Sequence, residues 1–179
     1  MARSDRRKEE AIKRKVAKER PFMQFSMGSP QNLRGAGPRI RTSIGVTPDH
    51  AAALRAAGQP VPPPVASNLL IDTGAFGTLL RHEIAERAGL KLINANAPVH
   101  GIGVDTTGRR YLGSIIFAVE SKAAPGARHN IVVNSEISSG DLPGDPSLDG
   151  LIGRDVLGFF EFHYDGLTGK FTLRYVGPR

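Results

Sequence analysis

One short stretch carries residues able to do acid–base chemistry: "NLLIDTGAFGTLL" (68–80), with Asp72, Thr73 and Gly74 at its centre. An apolar run of strand length, Leu69, Leu70 and Ile71, leads straight into the carboxylate. A charge at the end of a buried segment is costly unless it is paired or held by hydrogen bonds. Asp72 is therefore either a structural acid with a partner or the working group of a reaction. A second apolar run, "GLIGRDVL" (150–157), ends in Gly153, Arg154 and Asp155. Between the two lies "HGIGVDTTGRRY" (100–111), in which Gly101 and Gly103 flank Ile102. Those glycines lack the third glycine and the strand-to-helix context of a nucleotide loop. The chain has no cysteine, and its five histidines are scattered with no close pair at ligand spacing, so no metal site and no cofactor is expected. Asp141, Asp145 and Asp149 recur every fourth residue. A calcium loop of the common type needs acids every second residue, so these read as a solvated loop.

The elements that must position these residues are legible in outline. "PRIRTSIGVT" (38–47) alternates, with Ile40, Thr42 and Ile44 on one side and Arg39, Arg41 and Ser43 on the other, which is the period of a strand. Thr47, Pro48 and Gly58 bracket a short helix as cap, first turn and stop. Leu79, Leu80, Ile84 and Ala88 form a helical stripe that Gly89 ends. "APVHGIG" and "RRYLGSIIFAVE" read as a hairpin joined by "VDTTG". "HNIVVNSEI" is a further strand, and "FEFHYDGLTGKFTLRYV" a closing hairpin turning at Asp165-Gly166 and Gly169. High glycine and proline content, 21 and 13 residues, favours a mainly β chain with many turns.

With 179 residues the chain suits one domain plus an extra segment. The net charge of +7 is uneven: residues 1–35 hold 10 Lys or Arg against 4 acids, the remainder 14 against 13. Residues 1–35 are accordingly expected to be a basic, flexible N-terminal arm, with the "MGSPQNLRGAGP" linker at its end, and residues 36–179 the folded domain. The arm is either a solvated tail or a weak contact for nucleic acid or another polyanion. No run of about 18 apolar residues exists, so no membrane span is expected. The N-terminus lacks the apolar segment of a secretory signal, and a cytoplasmic location is the default expectation.

The order of motifs resembles the retropepsin-like aspartic proteases, in the bacterial single-lobe form. "LLIDTGA" (69–75) and "GLIGRDVL" carry the resemblance, with the Gly-rich hairpin between them in the place of the family's flap. It covers roughly residues 38–176. The resemblance implies a closed β-barrel lobe with short helices, homodimeric, that hydrolyses peptide bonds in a peptide or protein substrate. In that chemistry one aspartate takes a proton from a water and the other donates to the carbonyl oxygen. Two carboxylates about 3 Å apart cannot both ionise, aspartic proteases being the standard case of that coupling. This chain has a single Asp-Thr-Gly, so an active pair requires Asp72 from each of two subunits.

On the same resemblance, Thr73 would hydrogen-bond across the two-fold axis, Gly74 would admit the substrate backbone, and Ala75 completes the loop. Gly153 would end the strand beneath it, Arg154 would brace it, and Asp155 would cap the helix that follows. Gly101, Ile102 and Gly103 would form the flap, and Phe76 and Ile152 would meet apolar substrate side chains, as would Ile71. Viral members often place an acid after Asp-Thr-Gly-Ala, where it pairs with the arginine of the second motif; here Phe76 and Gly77 stand there. Arg154 must then find Asp155, backbone carbonyls or the other subunit. The longer C-terminal hairpin and the inserted helix (48–57) imply dimer contacts that differ from the viral ones. A rival reading is a non-catalytic module of the same fold, gripping an extended peptide by strand addition.

Overall fold

The computed structural model describes residues 21–101, 104–120, 128–142 and 144–177. The chain is mainly β. Its larger sheet has seven strands in the order β2 (Arg39–Gly45), β3 (Val65–Ile71), β8 (Gly150–Ile152), β4 (Leu79–Leu80), β7 (Arg128–Ser139), β6 (Val104–Glu120) and β5 (Lys91–Gly101). β2 pairs a second time, with β6 through Ser43, Ile44 and Gly45. That pairing closes β2, β3, β8, β4, β7 and β6 into a barrel and leaves β5 as a ribbon on β6. Strand alternation fills the interior: Ile40 and Ile44 of β2, Leu69 and Ile71 of β3, and Ile115 and Phe117 of β6 are all buried in one core. A smaller antiparallel sheet, β1 (Phe22–Ser26), β10 (Lys170–Tyr175) and β9 (Phe160–Asp165), packs alongside. Phe160 joins the two, 4.9 Å from the Phe117 ring and 5.5 Å from that of Tyr175. Among the described residues no helix is long and apolar enough to cross a membrane.

Helix α2 (Pro48–Ala56) forms as its punctuation predicts, the Thr47 hydroxyl accepting the His50 amide at 3.3 Å. Four expectations are corrected. The fold reaches back to Phe22 rather than starting at residue 36, because β1 pairs with β10 along its whole length. The apparent linker holds helix α1 (Pro30–Ala36): Ser29 caps it, Pro30 opens it, Gly37 (φ 73°) ends it, and Leu33 is buried. Turn-forming residues are also helix start and stop signals, and buried apolar residues decide between the two. Residues 1–20 lie outside the described residues.

The helical stripe of Leu79 and Leu80 is a strand, β4, wedged between β8 and β7, and the helix is only α3 (His82–Arg87). Ladder bonds from both sides override a local 3.6-residue pattern. The hairpin link "VDTTG" lies inside β6, Val104 standing opposite Gly101 and Thr107 opposite Pro98. Its threonines suit a pleated strand.

The loop before β8 is pinned to the barrel. Asp149 Oδ2 accepts the Asn68 amide at 2.7 Å, and Arg81 Nε donates to Leu148 O at 2.7 Å. Asp145 Oδ1 accepts the Ser147 amide at 2.8 Å, and Oδ2 meets Arg39 Nη2 at 2.7 Å. Hydrogen bonds from Ser147, then the Arg39 guanidinium, hold the Asp145 carboxyl at about 2, below its ordinary 3.8. A carboxylate depressed in the folded state stabilises it above the unfolded pKa, and that contribution is lost as pH falls through the folded value. Asp145→Asn should therefore remove one component of the fall in Tm between about pH 4 and pH 2. Identical pH–Tm profiles for the two proteins would contradict this. Separately, Leu33→Ala should cost about 2–5 kcal/mol in urea unfolding, whereas a mere linker would show almost none.

Candidate active site

Asp72 follows β3 directly. Its amide donates to Ile152 O at 3.0 Å, extending by one bond the parallel pairing of Ile71 with Ile152. The chain then turns on the carboxylate itself: Oδ1 accepts the Gly74 amide at 2.8 Å and the Ala75 amide at 3.2 Å. Backbone donors thus answer the cost of placing a charge at a strand's end. Among the described residues Oδ2 has no protein partner, and Asp72 is only half-buried, so that oxygen faces water. Thr73 and Gly74 are exposed beside it.

The second motif is the template for this loop. β8 lies between β3, to which it runs parallel, and β4, to which it runs antiparallel. Beyond it, the Arg154 amide donates to Ala75 O at 3.0 Å and the Asp155 amide to Phe76 O at 3.2 Å. Arg154 Nη1 reaches Thr73 O at 2.9 Å and Gly74 O at 3.1 Å. Of the three partners open to Arg154, the loop's carbonyls are those it takes within this chain. Gly153 is required by close approach: a Cβ there would lie 2.5 Å from the carbonyl carbon and oxygen of Gly77.

Asp155 does not cap helix α4 (Arg154–Leu157), whose N-cap is Gly153 with no side-chain cap bond. The first amides of α4 already donate to the Asp72 loop, so no orphan donors remain there for a capping side chain. The Asp155 carboxylate instead accepts from Thr78 Oγ1 and from Ser135 Oγ, each at 2.9 Å. Neither hydroxyl was singled out from sequence. Thr78 carries a faint signal, a polar residue opening an apolar run; Ser135 carries none.

Asp72, Thr73, Gly74, Ala75 and Phe76 are thus brought together with Gly153, Arg154 and Asp155. Phe76 is 84% exposed on the loop's outer side. Ile152 is 0% exposed and Ile71 4%, so both support the loop from the core and do not line a substrate surface as expected. Their inward direction follows from the parallel pairing, which places both on the barrel's interior face. Gly101 stands at the end of β5 opposite Val104; Ile102 and Gly103 lie outside the described residues. Among the described residues no group of three His, Cys, Asp or Glu side chains is gathered closely enough to hold a metal ion.

No protein-family model matches the sequence, and no curated protein does. Among solved structures the chain is similar to a retropepsin-like aspartic protease from Rickettsia conorii, at 17% identity and TM-score 0.43, covering 86% of this chain and 90% of that one. It is also similar to EIAV protease in complex with the inhibitor HBY-793, at 17% identity and TM-score 0.39, covering 68% of this chain and 85% of that one.

The Gly153 contact is directly testable. Gly153→Ala must displace backbone and should cost about 1–3 kcal/mol in urea unfolding. Gly77→Ala, whose Cβ meets nothing within 4 Å, should change stability by less than about 0.5 kcal/mol. Equal effects would show that the two segments are not in tight register.

Proposed function

We propose that this chain is an aspartic endopeptidase, active as a two-fold homodimer in which each subunit contributes Asp72. The observation that carries this reading is the state of the carboxylate: one oxygen is locked by two backbone amides, the other is open to water, and the loop around it is exposed. A catalytic carboxylate needs an oxygen that water can reach, held in a fixed orientation, and Asp72 meets both requirements. A single carboxylate cannot be acid and base at once, so the second must come from another subunit.

In the dimer the two carboxylates share a proton and hold a water between them. The charged member takes the water's proton as its oxygen attacks the peptide carbonyl carbon, and the protonated member donates to the carbonyl oxygen. Collapse of the tetrahedral species breaks the C–N bond, and the amine leaves with a proton. The working state is the singly protonated pair, one carboxylate charged and the other carrying the proton. Exposed Thr73 and Gly74 flank the axis, and the flap that the family resemblance assigns to Gly101, Ile102 and Gly103 closes over substrate and excludes water. Phe76, exposed beside the loop, offers an aromatic face to apolar substrate side chains.

Asp72→Asn should lower cleavage of an unfolded protein at mildly acidic pH by at least about 100-fold, with circular dichroism unchanged. Wild-type activity in the Asn variant would end this reading, as would a strictly monomeric active enzyme by sedimentation.

A further inference from the structure

We infer that Thr78, Asp155 and Ser135 form a positioning device that sets the Asp72 loop from its far end. Asp155 is a half-buried acid that caps no helix and, among the described residues, meets no cation. Proton counting gives its cluster a direction. The Thr78 hydroxyl accepts the Gly153 amide at 3.2 Å, so its only hydrogen goes to Asp155 Oδ1 at 2.9 Å. Oδ2 takes the Ser135 hydroxyl of β7 at 2.9 Å. Thr78 is 1% exposed, and its carbonyl accepts the Ser138 amide at 3.0 Å, so the cluster is anchored to β7 at two points. The buried Thr78 hydroxyl has no water to turn to, which makes the loss of its partner costly.

The loop therefore has two fixed ends. Ile152 O holds the Asp72 amide at entry, and Asp155 holds Thr78 at exit while its own amide holds Phe76 O. Between them Gly74 and Ala75 aim their amides at Asp72 Oδ1. Releasing the exit lets residues 76–78 shift and carries Ala75 with them, so the carboxylate loses its fixed orientation. Thr78, Asp155 and Ser135 touch neither Asp72 nor its water; they act through the backbone.

The catalytic consequence rests on the protease reading above, and the test separates the two. Asp155→Ala and the near-isosteric Thr78→Val should move the Gly74 and Ala75 amide resonances toward unbonded positions while those of the barrel strands stay. The same variants should lower kcat about 10- to 100-fold with KM nearly unchanged. Asp155→Asn should restore both readouts toward wild type: Oδ1 still accepts from Thr78, and Nδ2 donates to Ser135, whose proton turns to Glu136 O, 3.3 Å away. Wild-type amides and kcat in Thr78→Val, or an Asn variant no better than the Ala one, would overturn the inference. If wild type shows no Asp72-dependent cleavage but the amides respond as described, the protease reading fails and the positioning stands. If cleavage depends on Asp72 and neither variant alters it or the amides, the positioning fails alone.

Discussion

The backbone fit of residues 72–78 onto residues 152–155 is the interaction on which the rest of the site depends. Amides and carbonyls in a surface turn are ordinarily satisfied by water or by the turn itself. Here a second segment satisfies them at Asp72, Ala75 and Phe76, and an arginine side chain takes the carbonyls of Thr73 and Gly74. The result is an exposed loop with the rigidity of a paired strand. Rigidity comes from the main chain, so the Asp72 side chain keeps one oxygen free to face solvent.

That fit exists only because the barrel brings β3 and β8 together in parallel. β8 is three residues long and would not persist alone; it is held because β3 and β4 pair with its two edges. Gly150 and Gly153 bracket it, each where a side chain would strike neighbouring backbone, of Leu79 and Gly77 respectively. Closure through β2 and β6 then removes the open edges of the six barrel strands. The geometry at Asp72 is thus tied to pairings between residues far apart in the chain.

Much of this was legible. The alternation in β2, the capped helix after Thr47, the closing hairpin and the two motif stretches all sit where local pattern placed them. The misreadings share a cause. Ser29-Pro30 could open a helix or a linker, and the burial of Leu33 under the fold selected the helix. Leu79 and Leu80 fit a helical stripe, and pairing on both edges made them a strand. Asp155 fits a cap, and the carbonyls of Ala75 and Phe76 had already taken the donors a cap would serve.

By itself the sequence determined which chemistry was available, a lone Asp-Thr-Gly and a Gly-Arg-Asp at the ends of apolar runs, and which residues of β2 share a face. Those are properties of side-chain type and of the two-residue repeat along a strand, settled by near neighbours. Only the tertiary structure decided who bonds to whom: Arg154 to the loop's carbonyls, Asp155 to Thr78 and Ser135, Ile152 to the core rather than to a cleft. A hydrogen bond is specified by a distance of about 3 Å and a direction, and between residues far apart in the chain only closure of the barrel sets either one.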